Sequence, residues 1–419
     1  MLALIVIVLE FIFSLIITKR IVHPVTIFSL LWSVILGLYQ INISRFNHIS
    51  NSTYFIIVSG VVSFAVGYIV FLVSLKDTCI TIGNFRKNAD NENFEEIRYG
   101  FLKFLCISTI IVLLPEAINS IFILAGGGSF ETIRTNFSSG YSVLDIGVLS
   151  LYRNYIVKPF CYIVYPICAV DFILGKRQKW LLIFTIIISF LSALYEGGRI
   201  RFVYLALHFW LIVRLARIQI KIPKVVKRVF GMLLVLMVVI VLYITTSRGS
   251  KETLAQSLLL YISGCVPLMD RHLSAVGFHP NYTYGVVAIS GFLKPFFSIL
   301  ENFGFPYPSF LLNIQHVFEV EKTISVGTVF HMNAYVSLFY YFFYDGGFVG
   351  NIIGSFLYGG LSRLIYRRIG SMRGMVYYAL IFQGLLFSMI RFQFTISHYC
   401  LSFILLYFLF KRENVDEFK

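Results

Sequence analysis

The sequence predicts an all-α fold, a polytopic transmembrane helix bundle of about eleven spans. A large outer segment of short interfacial or re-entrant helices is expected within it. Three observations carry this prediction. Of 419 residues, 58% are hydrophobic and only 13% charged, where a soluble domain carries about a quarter. Mean hydropathy is +0.82. Runs of roughly 20 apolar residues, the length that crosses a bilayer, recur along the whole chain. A soluble globular protein, a disordered chain and a disulfide scaffold are thereby excluded. Residues 1–419 read as one integral membrane domain, with 247–346 as its external segment.

The expected spans are 2–18, 25–41, 54–75, 101–124, 159–174, 180–196, 199–216, 229–246, 347–365, 375–391 and 396–410. Met1 to Leu9 has no basic stretch before it and no small-residue cleavage site after it, so it reads as a first span and not a signal peptide. Basic residues crowd one set of loops: Lys19 and Arg20, Lys76 to Arg98, Lys176 to Lys179, Arg214 to Arg228, Arg363 to Arg373, and Lys411 onward. The positive-inside rule makes that set cytoplasmic, with the N-terminus outside and the C-terminus inside. The net charge of +15 is then a matter of topology, and no nucleic-acid partner is expected.

Within 247–346, Leu254 to Gly264, Tyr284 to Leu300 and Val329 to Tyr344 are expected as short helices, separated by Pro280, Pro295, Pro306 and Pro308. A second outer loop, 125–158, opens with Gly126-Gly127-Gly128. The loop 84–98 is the expected disordered piece. The six cysteines form no C-x-x-C pair, so neither a metal site nor a disulfide framework is expected, and no cofactor is called for.

Some charges have no topological reason. The uncharged run Phe202 to Val213 is too short to cross hydrocarbon alone, so its helix takes in Arg199 and Arg201. Such arginines face a polar cavity, a partner, or the interface by snorkelling. Two positions apart, they cannot point the same way. Arg201 is the candidate for snorkelling. Arg199 is the candidate for function, because Gly197 and Gly198 before it let a ligand approach the backbone. Arg248 and Arg391 are expected on the same outer side, as interfacial anchors or as anion ligands. Arginine's planar fork suits phosphate. His331 is a candidate general base. Asp345 opens a span, so it is either an N-cap or a site carboxylate. His272 and His279 are the alternative bases. Glu116, after Pro115, is a membrane carboxylate without an assigned role.

At these residues the chain resembles the O-antigen polymerase family (Wzy-type repeat-unit polymerases), within a superfamily that includes the O-antigen ligases. Tyr195-Glu196-Gly197-Gly198-Arg199 resembles the family's small-residue-then-Arg motif. Asn333 through Asp345-Gly346-Gly347 to Gly350 resembles its Asn…Asp-Phe-Gly…Gly pattern, with Gly in place of the commoner Phe. His331-Met332-Asn333 is similar to the His-Asn of the ligases. The layout of many spans with one late outer loop is also similar.

The resemblance implies a bacterial inner-membrane glycosyltransferase whose active site lies on the periplasmic side. Its substrate would be an undecaprenyl-pyrophosphate-linked oligosaccharide. The growing glycan would pass to the non-reducing end of a new lipid-linked repeat unit, in O-antigen or capsule-type polysaccharide synthesis. Membrane lipids and a chain-length regulator protein are the implied partners. His331, Arg199 and Asp345 would be catalytic, and Arg199, Arg201, Arg248, Asn333 and Arg391 would hold pyrophosphate or glycan, with no metal. An O-antigen ligase acting on lipid A core is the alternative enzyme. A metal-dependent glycosyltransferase would need acidic residues in loop 42–53, which has none. A transporter or flippase of the same glycan is the non-enzymatic alternative, but such proteins usually show two similar halves, and none are visible here.

Overall fold

The computed structural model describes residues 1–41, 46–74, 97–139, 143, 147–216, 254–275, 281–318, 324–327, 331–332 and 334–411. The expected span 229–246, the loop up to residue 96, Cys79, Arg248, His279 and Asn333 lie outside the described residues. The fold is all-α but for one short ribbon. The helices are α1 (Leu2–Thr18), α2 (Pro24–Ile41), α3 (Asn51–Ser74), α4 (Tyr99–Ala125), α5 (Phe130–Ser138), α6 (Gly147–Ile173), α7 (Lys179–Glu196), α8 (Ile200–Ala216), α9 (Leu254–Ser263), α10 (Cys265–Ala275), α11 (Val286–Asn302), α12 (Ser309–Asn313), α13 (Gln315–Phe318), α14 (Ser337–Tyr366), α15 (Met372–Leu386) and α16 (Ser397–Leu409). Among the described residues, six of these, α2, α3, α4, α6, α7 and α14, are long and apolar enough to cross a membrane.

The chain forms two compact units. The first comprises Met1–Ile80, Glu252–Arg368 and Ile381–Cys400. Its centre is the α3–α14 pair. A side chain on Gly67 would collide with the carbonyl of Phe356, and one on Gly359 with that of Phe64. Small residues on both helices let the backbones touch, the usual means of packing helices where lipid removes the hydrophobic drive. Asn351 adds hydrogen bonds from Nδ2 to the Ile56 carbonyl at 2.8 Å and to Ser59 at 3.2 Å. Trp32, Phe28, Phe64 and Phe339 fill the space beside this pair, all fully buried.

The second unit comprises Thr81–Lys251, Ile369–Leu380 and Leu401–Lys419. Here α4 packs on α7, and α6 packs on α8. Asp171 ties two helices and a turn together, accepting from the Tyr99 hydroxyl at 2.5 Å and the Gln178 N–H at 2.8 Å.

The structure corrects several expectations. The span expected at 159–174 begins at Gly147 and contains a π-helical turn at Arg153–Val157. Leu254 to Gly264 and Tyr284 to Leu300 are helical as expected, and an unexpected helix, α10, follows the first. Val329 to Tyr344 is not one helix. His331–Met332 is a strand paired with Ile324–Ser325, and helix begins only at Ser337. His331 and Asp345 therefore do not share one helix. Cys265, the first residue of α10, is fully buried.

Candidate functional site

The arginine motif lies in the second unit. Helix α7 ends at Glu196, and Gly197 takes a left-handed conformation with φ 58°. The Gly198 N–H then reaches the Ala193 carbonyl at 3.0 Å, a helix ending that favours glycine. A Cβ on Gly197 would stand 2.8 Å from the Phe130 carbonyl and 3.0 Å from the Arg134 N–H. The close approach that this glycine permits is therefore that of helix α5, not of a ligand. Phe137 of α5 packs edge-on against Tyr195, 5.1 Å between centroids.

Arg201 departs from expectation. Arg201 is the buried one, at 6% exposure, and does not snorkel. Its Nε donates to both Glu196 oxygens at 3.0 and 2.9 Å, and its Nη2 donates to Glu196 as well. Nη1 reaches the Cys161 carbonyl at 3.5 Å. Its guanidinium also lies over the rings of Tyr162 and Tyr204, at 5.2 and 5.9 Å. Burial is tolerated because the charge is matched and the fork is filled. Arg199 is half-buried just before α8, its carbonyl accepting from the Phe202 N–H.

A second buried ion pair lies in the same unit. Arg153 Nη1 donates to Glu116 at 3.0 Å, and both side chains are at most 5% exposed. The π-turn that starts at Arg153 is a local irregularity of the kind found at functional sites. Glu116 also accepts from the Val143 N–H at 3.3 Å. Lys158 lies over Phe137 at 5.7 Å, and its charge is felt by both pairs. Three cations, Arg153, Lys158 and Arg201, thus share two carboxylates, Glu116 and Glu196. A pocket of about 250 Å³ of free space, mouth included, lies between Glu116, Asn119, Asn136, Phe137 and Tyr195. Sequence reasoning left Glu116 unassigned and passed over Arg153 and Lys158. No spacing rule joins residues 116, 153 and 196.

The other candidates lie in the first unit. Asp345 does not cap the span that follows it. It sits at the end of the first arm of α14, before a break at Gly346 and Gly347, where Gly347 has φ 63°. Its carboxylate receives the Val287 and Ala288 N–H groups at 3.0 and 2.9 Å and the Thr283 hydroxyl at 2.6 Å. It therefore caps α11, a helix distant in sequence, by the same chemistry as a local N-cap. The His331 backbone is paired with Ser325.

His272 packs edge-on against Tyr340 at 6.0 Å. Burial holds its imidazole below the ordinary value, so the neutral ring prevails near pH 7. Its Nε2 is buried without a hydrogen-bond partner. Tyr340 continues to Tyr344 at 4.9 Å, and Tyr344 to His316 at 6.0 Å. Tyr341 stacks on Phe318 at 5.9 Å, and Lys294 lies 3.6 Å over that ring. Arg391 is half-buried beside a rigid turn, in which the Val336 N–H donates to the Ile390 carbonyl at 3.1 Å. Among the described residues, no cluster of His, Cys, Asp and Glu has the makings of a metal site.

Compared with known proteins, the chain matches no family model, no curated relative and no solved structure.

Proposed function

We propose that the protein is a membrane-embedded glycosyltransferase that polymerises lipid-linked oligosaccharide repeat units. The growing glycan leaves undecaprenyl pyrophosphate and joins the non-reducing end of a new lipid-linked unit. The acceptor hydroxyl attacks the anomeric carbon, its proton passes to a base, and the pyrophosphate departs with the bonding pair. In this reading the protein has eleven spans, works in the bacterial inner membrane, and keeps its site on the periplasmic side.

The observation that carries the reading is the cationic excess at the Tyr195–Arg201 motif. Glu196 holds Arg201 in one orientation, while Lys158 adds positive charge beside the two Arg–Glu pairs. Fixed cations in a low-dielectric setting stabilise a leaving pyrophosphate without reorganisation. His331 is the base by resemblance. His272 is the base favoured by environment, being neutral and unpartnered at Nε2.

Expression in a polymerase-null strain tests this. Wild type should restore long glycan ladders. Arg199→Ala should abolish them with membrane insertion intact, and Arg199→Lys should restore little, because a point charge does not reproduce the fork. A general base contributes about 10²–10⁴-fold, so whichever of His331→Ala and His272→Ala costs that much identifies it. Single-repeat caps without ladders from the wild-type gene would refute polymerisation.

A further inference from the structure

Glu10 belongs to no motif, and its place in the fold is unusual. It stands midway along α1, a 17-residue helix otherwise apolar but for Ser14 and Thr18. At 1.5 Å per residue its Cα is about 12 Å from either end of the helix. Helix α1 packs on α2 and α3. Those three helices hold no other Asp, Glu, Lys, Arg or His; their titratable groups besides Glu10 are Tyr39, Tyr54 and Tyr68. Lys19, the next cation along the chain, caps the far end of α1.

Hydrogen counting fixes the state of the carboxyl. Ser29 Oγ of α2 lies 2.7 Å from Glu10 Oε1 and 2.8 Å from the Val25 carbonyl. Both distances are those of undivided O–H···O bonds, yet a serine hydroxyl has one proton. The carbonyl can only accept, and a serine bonding back to the residue four before it is a common helical arrangement. With its proton spent there, Ser29 meets Glu10 as an acceptor, and the proton between them is Glu10's own.

Burial points the same way. Glu10 Oε2 is buried and has no hydrogen-bond partner among the described residues. An ionised carboxylate would carry its charge there with one hydroxyl at most, whereas a carboxylic acid has a single proton to place. Ser33 is four residues from Ser29, so on the same side of α2, and it is buried with its hydroxyl unpartnered too. One turn from Glu10 the seam continues as neutral hydroxyls, Ser14 to Thr26 at 3.1 Å and Thr26 to Thr18 at 3.2 Å. The carboxyl is also reachable. Glu10 is partly exposed, beside the exposed apolar face formed by Leu9, Ile12, Phe13, Ile16 and Ile17. In a membrane such a face meets lipid.

We infer that Glu10 is a proton-binding site, occupied at neutral pH, with Ser29 accepting its proton and the lipid-facing side of α1 giving access to it. An acid inside an apolar helix, with no opposite charge beside it, is the kind of group that carries protons in membrane proteins. The site stands apart from glycan transfer.

The test uses the full chain in phosphatidylcholine vesicles, with dicyclohexylcarbodiimide as the probe. This reagent dissolves in the bilayer. A carboxylic acid adds across its N=C bond, and the adduct rearranges to a stable N-acylurea with no group leaving. A carboxylate lacks the proton that the addition needs. Peptide mass spectrometry should find the adduct on Glu10 at pH 7 and show it fading as the pH is raised. Glu10→Gln should lose it. Infrared spectra give a readout without a reagent: wild type minus Glu10→Gln should show the C=O band of a carboxylic acid at pH 7. Glutamine keeps a donor and an acceptor for Ser29, so this variant should melt as wild type does. Should it misfold, the wild-type adduct and its loss with rising pH still decide. A carboxylate band in place of the acid band, an unmodified Glu10 in vesicles, or labelling indifferent to pH would overturn the inference.

Discussion

The two units differ in how they handle buried charge. In the second, two carboxylates are matched by guanidinium groups, Glu116 by Arg153 and Glu196 by Arg201, while Asp171 takes a hydroxyl and a backbone N–H. In the first, carboxylates are matched by helix N-termini and hydroxyls. Asp345 takes the first turn of α11, and Asp270 takes Ser50 N–H at 3.0 Å, Ser50 Oγ at 2.8 Å and Thr53 Oγ1 at 2.7 Å at the start of α3. The consequence follows from charge balance. Where acids are neutralised by arginines, those arginines are largely committed to the fold. Burial of an arginine in such a chain is therefore weak grounds for assigning it to a substrate, and Arg201 illustrates the point.

The comparison breaks most easily at the ion pairs. Arg201→Ala should strand Glu196 and cost about 3–5 kcal/mol, as removing one member of a buried pair does. Detergent thermal melts of Arg201→Ala against Glu196→Gln/Arg201→Met should show the double variant to be the more stable. Equal losses would mean that Glu196 finds water or another donor, and the pair is not the constraint described.

Asp345 should respond more mildly. Asp345→Asn keeps an accepting oxygen, and loss of a cap costs typically about 1 kcal/mol, up to about 2. Asp345→Ala should lower the melting temperature more than Asp345→Asn, and hydrogen exchange should rise first at Val287 and Ala288. Exchange unchanged there would remove the capping role. Should Asp345→Asn abolish ladders without loss of stability, the carboxylate is chemical and not only structural.

Gly197→Ala sharpens the second unit's side of the comparison. The left-handed φ and the backbone of α5 both oppose a methyl group, and each strained residue of this sort costs of order 1–3 kcal/mol. The expected readout is faster proteolysis within 130–138 before any global unfolding. Resistance equal to wild type would show that α5 does not depend on this contact.

The smallest effect concerns Cys265. Being fully buried, it should stay unmodified by a membrane-impermeant thiol reagent in the folded protein and react once denatured. Rapid labelling in intact membranes would mean that α10 opens readily.

The sequence by itself determined the helices. Ten of the expected stretches outside residues 229–246 coincide with helices, because a run of apolar residues without water to satisfy its backbone has few alternatives to helix. It also singled out Arg199 and Arg201 as charges with no topological reason. Which of the two is buried was not legible, because that depends on Glu196 five residues away across a glycine turn, and on Tyr162 brought in from α6. Nor was the partner of Asp345: the N-terminus of α11 is nearly sixty residues earlier in the chain, and a local rule names only the next helix. The pairing of Glu116 with Arg153 is likewise a property of packing. Local sequence sets the period of a helix and the hand of a turn, but charges compensate through space, and only the tertiary structure decides which charges meet.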